Sequence, residues 1–258
     1  MTTTAPALSE QIVLVTGGAR GLGRAISEAF LREGAKVIIN YFSSAHAAEE
    51  LAREHPGRAV AIRADVRDRG QVGALYAQAH AVFDAPVTTV VNNALVDFSF
   101  DGDARPKADE ISYGRFENQF SGAIQGALNV IQAALPGFDE SGSGRVVTIG
   151  TNLFQYPVVP YHDYTAAKAA LLSLTRTFAA DLGPRGVTVN MLSGGLLRTT
   201  DASAATPDEV FDLIAASTPL QSVTTPEEFA DAILFFASPW ARAVTGQNLV
   251  VDGGLVKD

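Results

Sequence analysis

Ile12-Val13-Leu14-Val15-Thr16-Gly17-Gly18-Ala19-Arg20-Gly21-Leu22-Gly23 is a short apolar run, then a glycine-rich turn, then the start of a helical pattern. The run is apolar at every position, as a strand covered on both faces requires. Glycines permit a tight turn and let the backbone close on a pyrophosphate. The helix N-terminus that follows offers free N–H groups and the positive end of its dipole. In an arbitrary loop such glycines would be a plain turn. Here the strand before them and the helix after them favour a phosphate cradle.

The same alternation continues outward from this segment. Further β-rich runs are Val37–Ile39, Ala59–Ile62, Val87–Val91, Val146–Ile149, Val187–Met191 and Asn248–Val251. Between them lie stretches of helical period: Gly23–Glu33, Ala45–Glu54, Gly70–Phe83, Ser112–Leu135, Tyr161–Leu182 and Pro226–Ala237. Strands that alternate with helices pair in parallel, because parallel neighbours need a long connection. The expected fold is α/β: a single Rossmann-type doubly wound parallel sheet of about seven strands, flanked by helices on both faces. One dinucleotide-binding and catalytic domain is expected over residues 1–258, with 1–10 as a flexible tail. The Pro/Gly/Asp-rich stretch Asp97–Glu110 reads as a loop within that domain.

Composition narrows the function. The 258 residues are 47% hydrophobic, ample for a sizeable core, and none is cysteine, so disulfides and thiolate metal sites are excluded. A cytoplasmic setting is expected from the missing cysteines and from an N-terminus without a basic segment leading an apolar one. No apolar run approaches the ~18 residues that span a bilayer, so no membrane partner is expected. The net charge of −9, from 28 acidic and 19 basic residues with no Lys/Arg-rich run, argues against nucleic acid. An anionic cofactor remains compatible, since backbone amides and one or two arginines hold a phosphate locally.

The turn has the spacing T-G-x-x-x-G-x-G, and with four further segments it resembles the short-chain dehydrogenase/reductase family. Those segments are Asp65-Val66, Asn92-Asn93-Ala94, Tyr164-x-x-x-Lys168 and the tail from Thr245 to Gly254. The resemblance runs from about Gln11 to Gly254 in the family's order. Within the family, Asn40-Tyr41, Val147-Thr148-Ile149 and the tail look most like 3-oxoacyl-(acyl-carrier-protein) reductases. It implies that Gly17, Gly21, Leu22 and Gly23 border the cofactor. Asp65 would accept from the adenine amino group and Val66 line its pocket; Asp65 as a helix N-cap is the competing reading. Asn92 and Ala94 would border the adenosine ribose. The backbone of Leu197 would meet the nicotinamide carboxamide, and Thr199 the carboxamide or diphosphate. Leu95 and Gly194-Gly195 depart from the usual glycine and Pro-Gly. Residues about 200–217 are the expected substrate lid.

Charge decides which nicotinamide cofactor is expected. A carboxylate at the end of the second strand would grip the ribose 2′-hydroxyl and repel a 2′-phosphate. Tyr41 stands there instead, with Arg20 able to pair with a phosphate and Ser43 able to donate to it. NADP(H) is therefore preferred over NAD(H), with Arg20 as a merely solvated loop residue the alternative.

Tyr164 and Lys168 are four apart in a helical pattern and share a face. A free phenol ionises near ~10; a neighbouring ammonium favours the phenolate, the positive nicotinamide ring of the oxidised cofactor adds to that, and a lowering by ~2–3 units is expected. By the family's pattern Tyr164 protonates the substrate oxygen and Lys168 also holds the nicotinamide ribose. Thr151, 13 residues before Tyr164, stands where the family carries serine and can give the same hydrogen bond; a strand-end cap is its other reading. Counting back from Gly122 places Gln119, with Asn118 beside it, at the family's catalytic asparagine. His162 reads as a loop residue at the substrate mouth or facing solvent. No His/Asp/Glu spacing suggests a metal site.

The leading functional expectation is NADPH-dependent reduction of a small-molecule or acyl-thioester ketone. Alternatives are an alcohol, sugar or steroid-type dehydrogenase working oxidatively, and a catalytically silent NADP(H) sensor. An acidic carrier would need cations at the mouth, and Arg185 could serve. The family commonly assembles through two long helices, here Ser112–Leu135 and Tyr161–Leu182, so a homotetramer or homodimer is expected. Ala166, Ala169, Ala170 and Phe178 permit that contact, though core packing explains them equally well.

Overall fold

The computed structural model of the protein describes residues 6–257. The strands are β1 (Ile12–Val15), β2 (Lys36–Tyr41), β3 (Ala59–Arg63), β4 (Thr89–Asn92), β5 (Gly144–Thr151), β6 (Val187–Gly194) and β7 (Asn248–Val251). The helices are α1 (Gly21–Arg32), α2 (Ala45–Glu54), α3 (Arg69–Phe83), α4 (Tyr113–Phe120), α5 (Gly126–Ser141), α6 (His162–Leu182), α7 (Asp208–Ser217) and α8 (Pro226–Ala237). The seven strands form one sheet in the order β3-β2-β1-β4-β5-β6-β7, and every pairing is parallel. This is the Rossmann-type arrangement that the alternation of strand and helix requires. Of the tail expected over 1–10, residues 1–5 lie outside the described residues. Leu8–Glu10 forms one 3-10 turn, with Leu8 packed on the core.

The continuous apolar strands are explained by two cores. Successive side chains of a strand point to opposite faces. Val13 and Val15 accordingly enter a cluster with Ile26 and Phe30 of α1 and Phe229 and Ile233 of α8. Ile12 and Leu14 enter the opposite cluster, with Val130, Ile131 and Phe138 of α5 and Leu182 of α6. No position of β1 faces water, so none is polar. Local signals set the helix starts: Asp68 accepts from Gly70 and Gln71 at α3, and Thr225 and Glu228 form a reciprocal capping box at α8.

One expected helix is broken. In place of a continuous helix over Ser112–Leu135 stand α4, a π-helical turn at Ser121–Gln125, and α5 running on to Ser141. The cause is close packing across the turn. A Cβ at Gly122 would lie 2.7 Å from Val96, which belongs to the loop after β4. Single π-turns of this kind re-aim side chains and often flank functional sites.

Phe229 is wholly buried, and its ring lies 2.9 Å from where a Cβ on Gly194 would be, tying the α8 core to the end of β6. Phe229→Ala is expected to lower unfolding free energy by about 3–5 kcal/mol in denaturant titration. A loss below about 1 kcal/mol, within the range of surface substitutions, would contradict this packing.

Candidate active site

The strand order turns between β1 and β4, the place where parallel sheets of this kind open a crevice at their C-terminal ends. A cavity of about 510 Å³ lies there. Its floor is the glycine-rich turn. Thr16 Oγ1 accepts from the N–H groups of Asn93 and Ala94 at 2.9 and 3.0 Å, and Asn93 Nδ2 donates to Thr16 O at 2.9 Å. Ser27 donates to the carbonyls of Gly18 and Gly23, and Gly18 N–H to Asn40 O. The turn is thus pinned to β2, β4 and α1 before any ligand arrives. A Cβ on Gly23 would collide with the Gly17 carbonyl, so only glycine permits this approach. No side chain caps α1, which leaves its first-turn N–H groups for an anion. These features fit a diphosphate.

Of the residues singled out in the sequence, Gly17, Arg20, Gly21, Leu22 and Gly23 line the cleft on the turn. Tyr41, Ser43, Asp65, Val66 and Ala94 line it at the far end, and Leu197, Tyr164 and Lys168 at the near end. Four others do not border the cavity. Asn92 lies beneath the wall and Asn93 takes the exposed place. Thr199 is exposed to solvent, and Thr200 faces the cleft. Thr151 is buried, with its hydroxyl hydrogen-bonded to the Tyr164 phenol. Gln119 is also buried, and its Nε2 donates to Val96 O at 3.0 Å, so its amide is occupied in holding the loop after β4. His162 is half-buried and does not border the cavity.

The far end carries more cationic charge than expected. No carboxylate ends β2, as the sequence indicated. Asp65 is held by Arg67, which donates to it at 2.8, 2.9 and 3.1 Å and keeps the carboxyl below the usual carboxylate range. Arg67 also lines the cleft. Its position two residues after Asp65 was the available signal for it. Arg20 forms an exposed ion pair at 3.1 Å with Asp201, in the 3-10 turn Asp201–Ser203 that opens the expected lid.

At the near end, Tyr164 and Lys168 sit one turn apart on α6, each about 5% exposed. Lys168 Nζ donates to Ile149 O at 2.7 Å and lies 5.7 Å from the centre of the Tyr164 ring. Burial pushes the lysine down to about 8. The phenol is pushed up to about 12, chiefly by burial; a hydrogen bond from the Thr151 hydroxyl opposes the rise and Tyr161 adds to it. In the protein without cofactor, burial outweighs the Thr151 hydrogen bond; the expected lowering concerns the cleft with the oxidised cofactor bound. Asp163, beside Tyr164, is buried and paired with Arg115 at 3.2 Å.

Two features escaped the sequence reading. Phe98 stacks on Tyr164, with ring centres 4.3 Å apart and planes 16° apart, and Phe100 meets the phenol edge-on at 5.6 Å. The alternation Phe98-Ser99-Phe100 was the only hint. The second is a small cavity of about 10 Å³ bordered by Asn92, Gly122 and Lys168, with room for one water molecule. Asn92 Nδ2 is buried without a protein acceptor. Among the described residues, no group of three or more His, Cys, Asp or Glu side chains could hold a metal, and no helix is long and apolar enough to cross a membrane.

Comparison with known proteins agrees with this architecture. The sequence model of the family described as enoyl-(acyl carrier protein) reductase matches residues 17–256. A short-chain type dehydrogenase/reductase of Picea abies is 32% identical, over 96% of this chain and 93% of its own. A chloroplastic NADPH-dependent aldehyde reductase 2 of Arabidopsis thaliana is 28% identical, over 96% and 94%. The crystal structure of a dehydrogenase/reductase from Sinorhizobium meliloti 1021 superposes with a TM-score of 0.86 at 32% identity, covering 99% of this chain and 98% of that one.

The raised phenol has a direct consequence for pH. Because burial favours the neutral form, Tyr164 should keep its proton up to about 12 in the protein without cofactor. Phenolate absorbance of the intact chain minus that of Tyr164→Phe measures this; ionisation at or below the ordinary value of about 10 would contradict the burial argument.

Proposed function

The chain belongs to the short-chain dehydrogenase/reductase family, and on that premise we propose that it reduces a ketone or aldehyde to an alcohol with NADPH, Tyr164 giving the proton. The observation that carries this reading is the buried pair of Tyr164 and Lys168 on one wall of a dinucleotide-shaped cleft, with Thr151 bonded to the phenol. The cofactor supplies the hydride when bound. The chain's part is to place the carbonyl oxygen at the phenol and deliver a proton as negative charge develops there. Thr151 steadies the phenol through its hydrogen bond. Lys168, at about 8, is able to release a proton near neutral pH and so refill Tyr164. The small cavity beside Lys168 and Asn92 suits a water that returns the proton to the lysine. Gln119 then acts by holding the Val96 loop, not by touching substrate.

Arg20, Ser43 and Arg67, with no carboxylate at Tyr41, support a 2′-phosphate at the far end. The NADPH dependence in the name of the Arabidopsis relative supports the same choice. Leu197, which lines the cleft with Tyr164 and Lys168, would meet the nicotinamide half, and Thr200, which lies against Gly21, would meet the diphosphate. Exposed Tyr113 and Phe120 on α4, and Phe235 and Trp240 at α8, offer apolar surface for the homotetramer or homodimer.

Two experiments test this reading. Tyr164→Phe should lower kcat/KM for carbonyl reduction by about 10²–10⁴-fold while NADPH still binds, as followed by cofactor fluorescence; unchanged turnover would remove the proton donor. Arg20→Ala should weaken NADPH binding by about tenfold and NADH binding far less, the scale of one charge-assisted contact at an exposed site. Equal effects on both cofactors would contradict the phosphate assignment.

A further inference from the structure

The wall opposite the glycine-rich turn is aromatic. Phe98 and Phe100 both border the cavity and are half-buried, so part of each ring faces the cleft. Tyr161 meets Phe98 edge-on at 5.2 Å and Phe100 at 5.8 Å, closing an aromatic cluster around Tyr164 together with Leu153 and Val159. The cluster is held at both ends. Gln119 binds the Val96 carbonyl on one side, and Phe100 N–H donates to Ala202 O at 2.9 Å on the other. The rings are therefore fixed features of the site, and their faces and edges favour another aromatic ring packed offset or edge-on.

The charges around the mouth point the same way. The loop Asp97–Glu110 carries five carboxylates against Arg105 and Lys107. Arg198 is paired with Asp208 at 2.9 Å and Asp212 at 3.8 Å. Arg185, the cation that the sequence suggested for docking a carrier, is held by Asp139 at 2.6 Å. An acidic carrier protein meeting this rim would face like charge and cations already engaged, which slows encounter and disfavours docking.

Resting on Tyr164 as the proton donor, we propose that the substrate is an uncharged aryl ketone or aldehyde taken free from solution, its ring held against Phe98 and Phe100, and not an acyl group on an acidic carrier. Acetophenone, 2-octanone and an acetoacetyl thioester on an acyl carrier protein, each offered with NADPH, test the proposal. The expected result is a kcat/KM for acetophenone about tenfold above that for 2-octanone, the scale of one aromatic pair. Phe100→Leu should remove that preference and Phe100→Tyr keep it, both folded by thermal melting. No aryl preference, a preference that survives Phe100→Leu, or faster turnover of the carrier thioester would overturn the proposal. Calorimetric titration of acetophenone into the cofactor-loaded protein separates the two levels. Binding that Phe100→Leu weakens, without turnover, leaves the aromatic wall standing and removes the proton donor; no binding overturns the aromatic wall itself.

Discussion

Burial of two ionisable side chains is the constraint from which the chemistry follows. Water is withheld from the Tyr164 phenol and the Lys168 amine, and each shifts toward its uncharged form, to about 12 and about 8. Each displacement costs the charged form on the order of 3 kcal/mol. The phenol thus stays protonated as a donor, and the lysine is brought near neutral pH. Separation matters as much as burial. Lys168 donates to the Ile149 carbonyl and lies 5.7 Å from the centre of the Tyr164 ring.

The fold maintains that burial from three directions. β5 brings Thr151 and the Ile149 carbonyl beneath the pair. The π-turn at Ser121–Gln125 lets the Val96 loop approach closely, and this loop carries Phe98 and Phe100 over the phenol. The turn Asp201–Ser203 then meets the same loop through Ala202 and the glycine-rich turn through Arg20. This turn therefore touches both halves of the cleft.

Much of this was legible in the sequence because the signals are local. Ile12–Val15, Ala45–Glu54, Pro226–Ala237 and Asn248–Val251 form their elements with the bounds that periodicity indicates. The glycine turn announced itself through its flanking strand and helix, and Tyr164 with Lys168 through helical spacing. What escaped depends on contacts distant in sequence. Nothing near Gly122 reveals that Val96 will press against it. At strand ends, neighbouring side chains face opposite ways. At the end of β4 this turns Asn93 and not Asn92 to the cleft, while Thr199 and Thr200 lie in the turn beyond β6, where no period applies. The direction of the phenol's shift depended on the aromatic cluster, which no spacing rule described.

The central claim is that burial is the chief hold on the Tyr164 proton and that added positive charge in the cleft releases it. The direct measurement is the ionisation of Tyr164 with saturating oxidised cofactor, read as the absorbance difference between the intact chain and its phenylalanine variant. The account predicts that ionisation then falls below the free-tyrosine value of about 10. A phenol that still ionises at about 12 with the cofactor bound would contradict it.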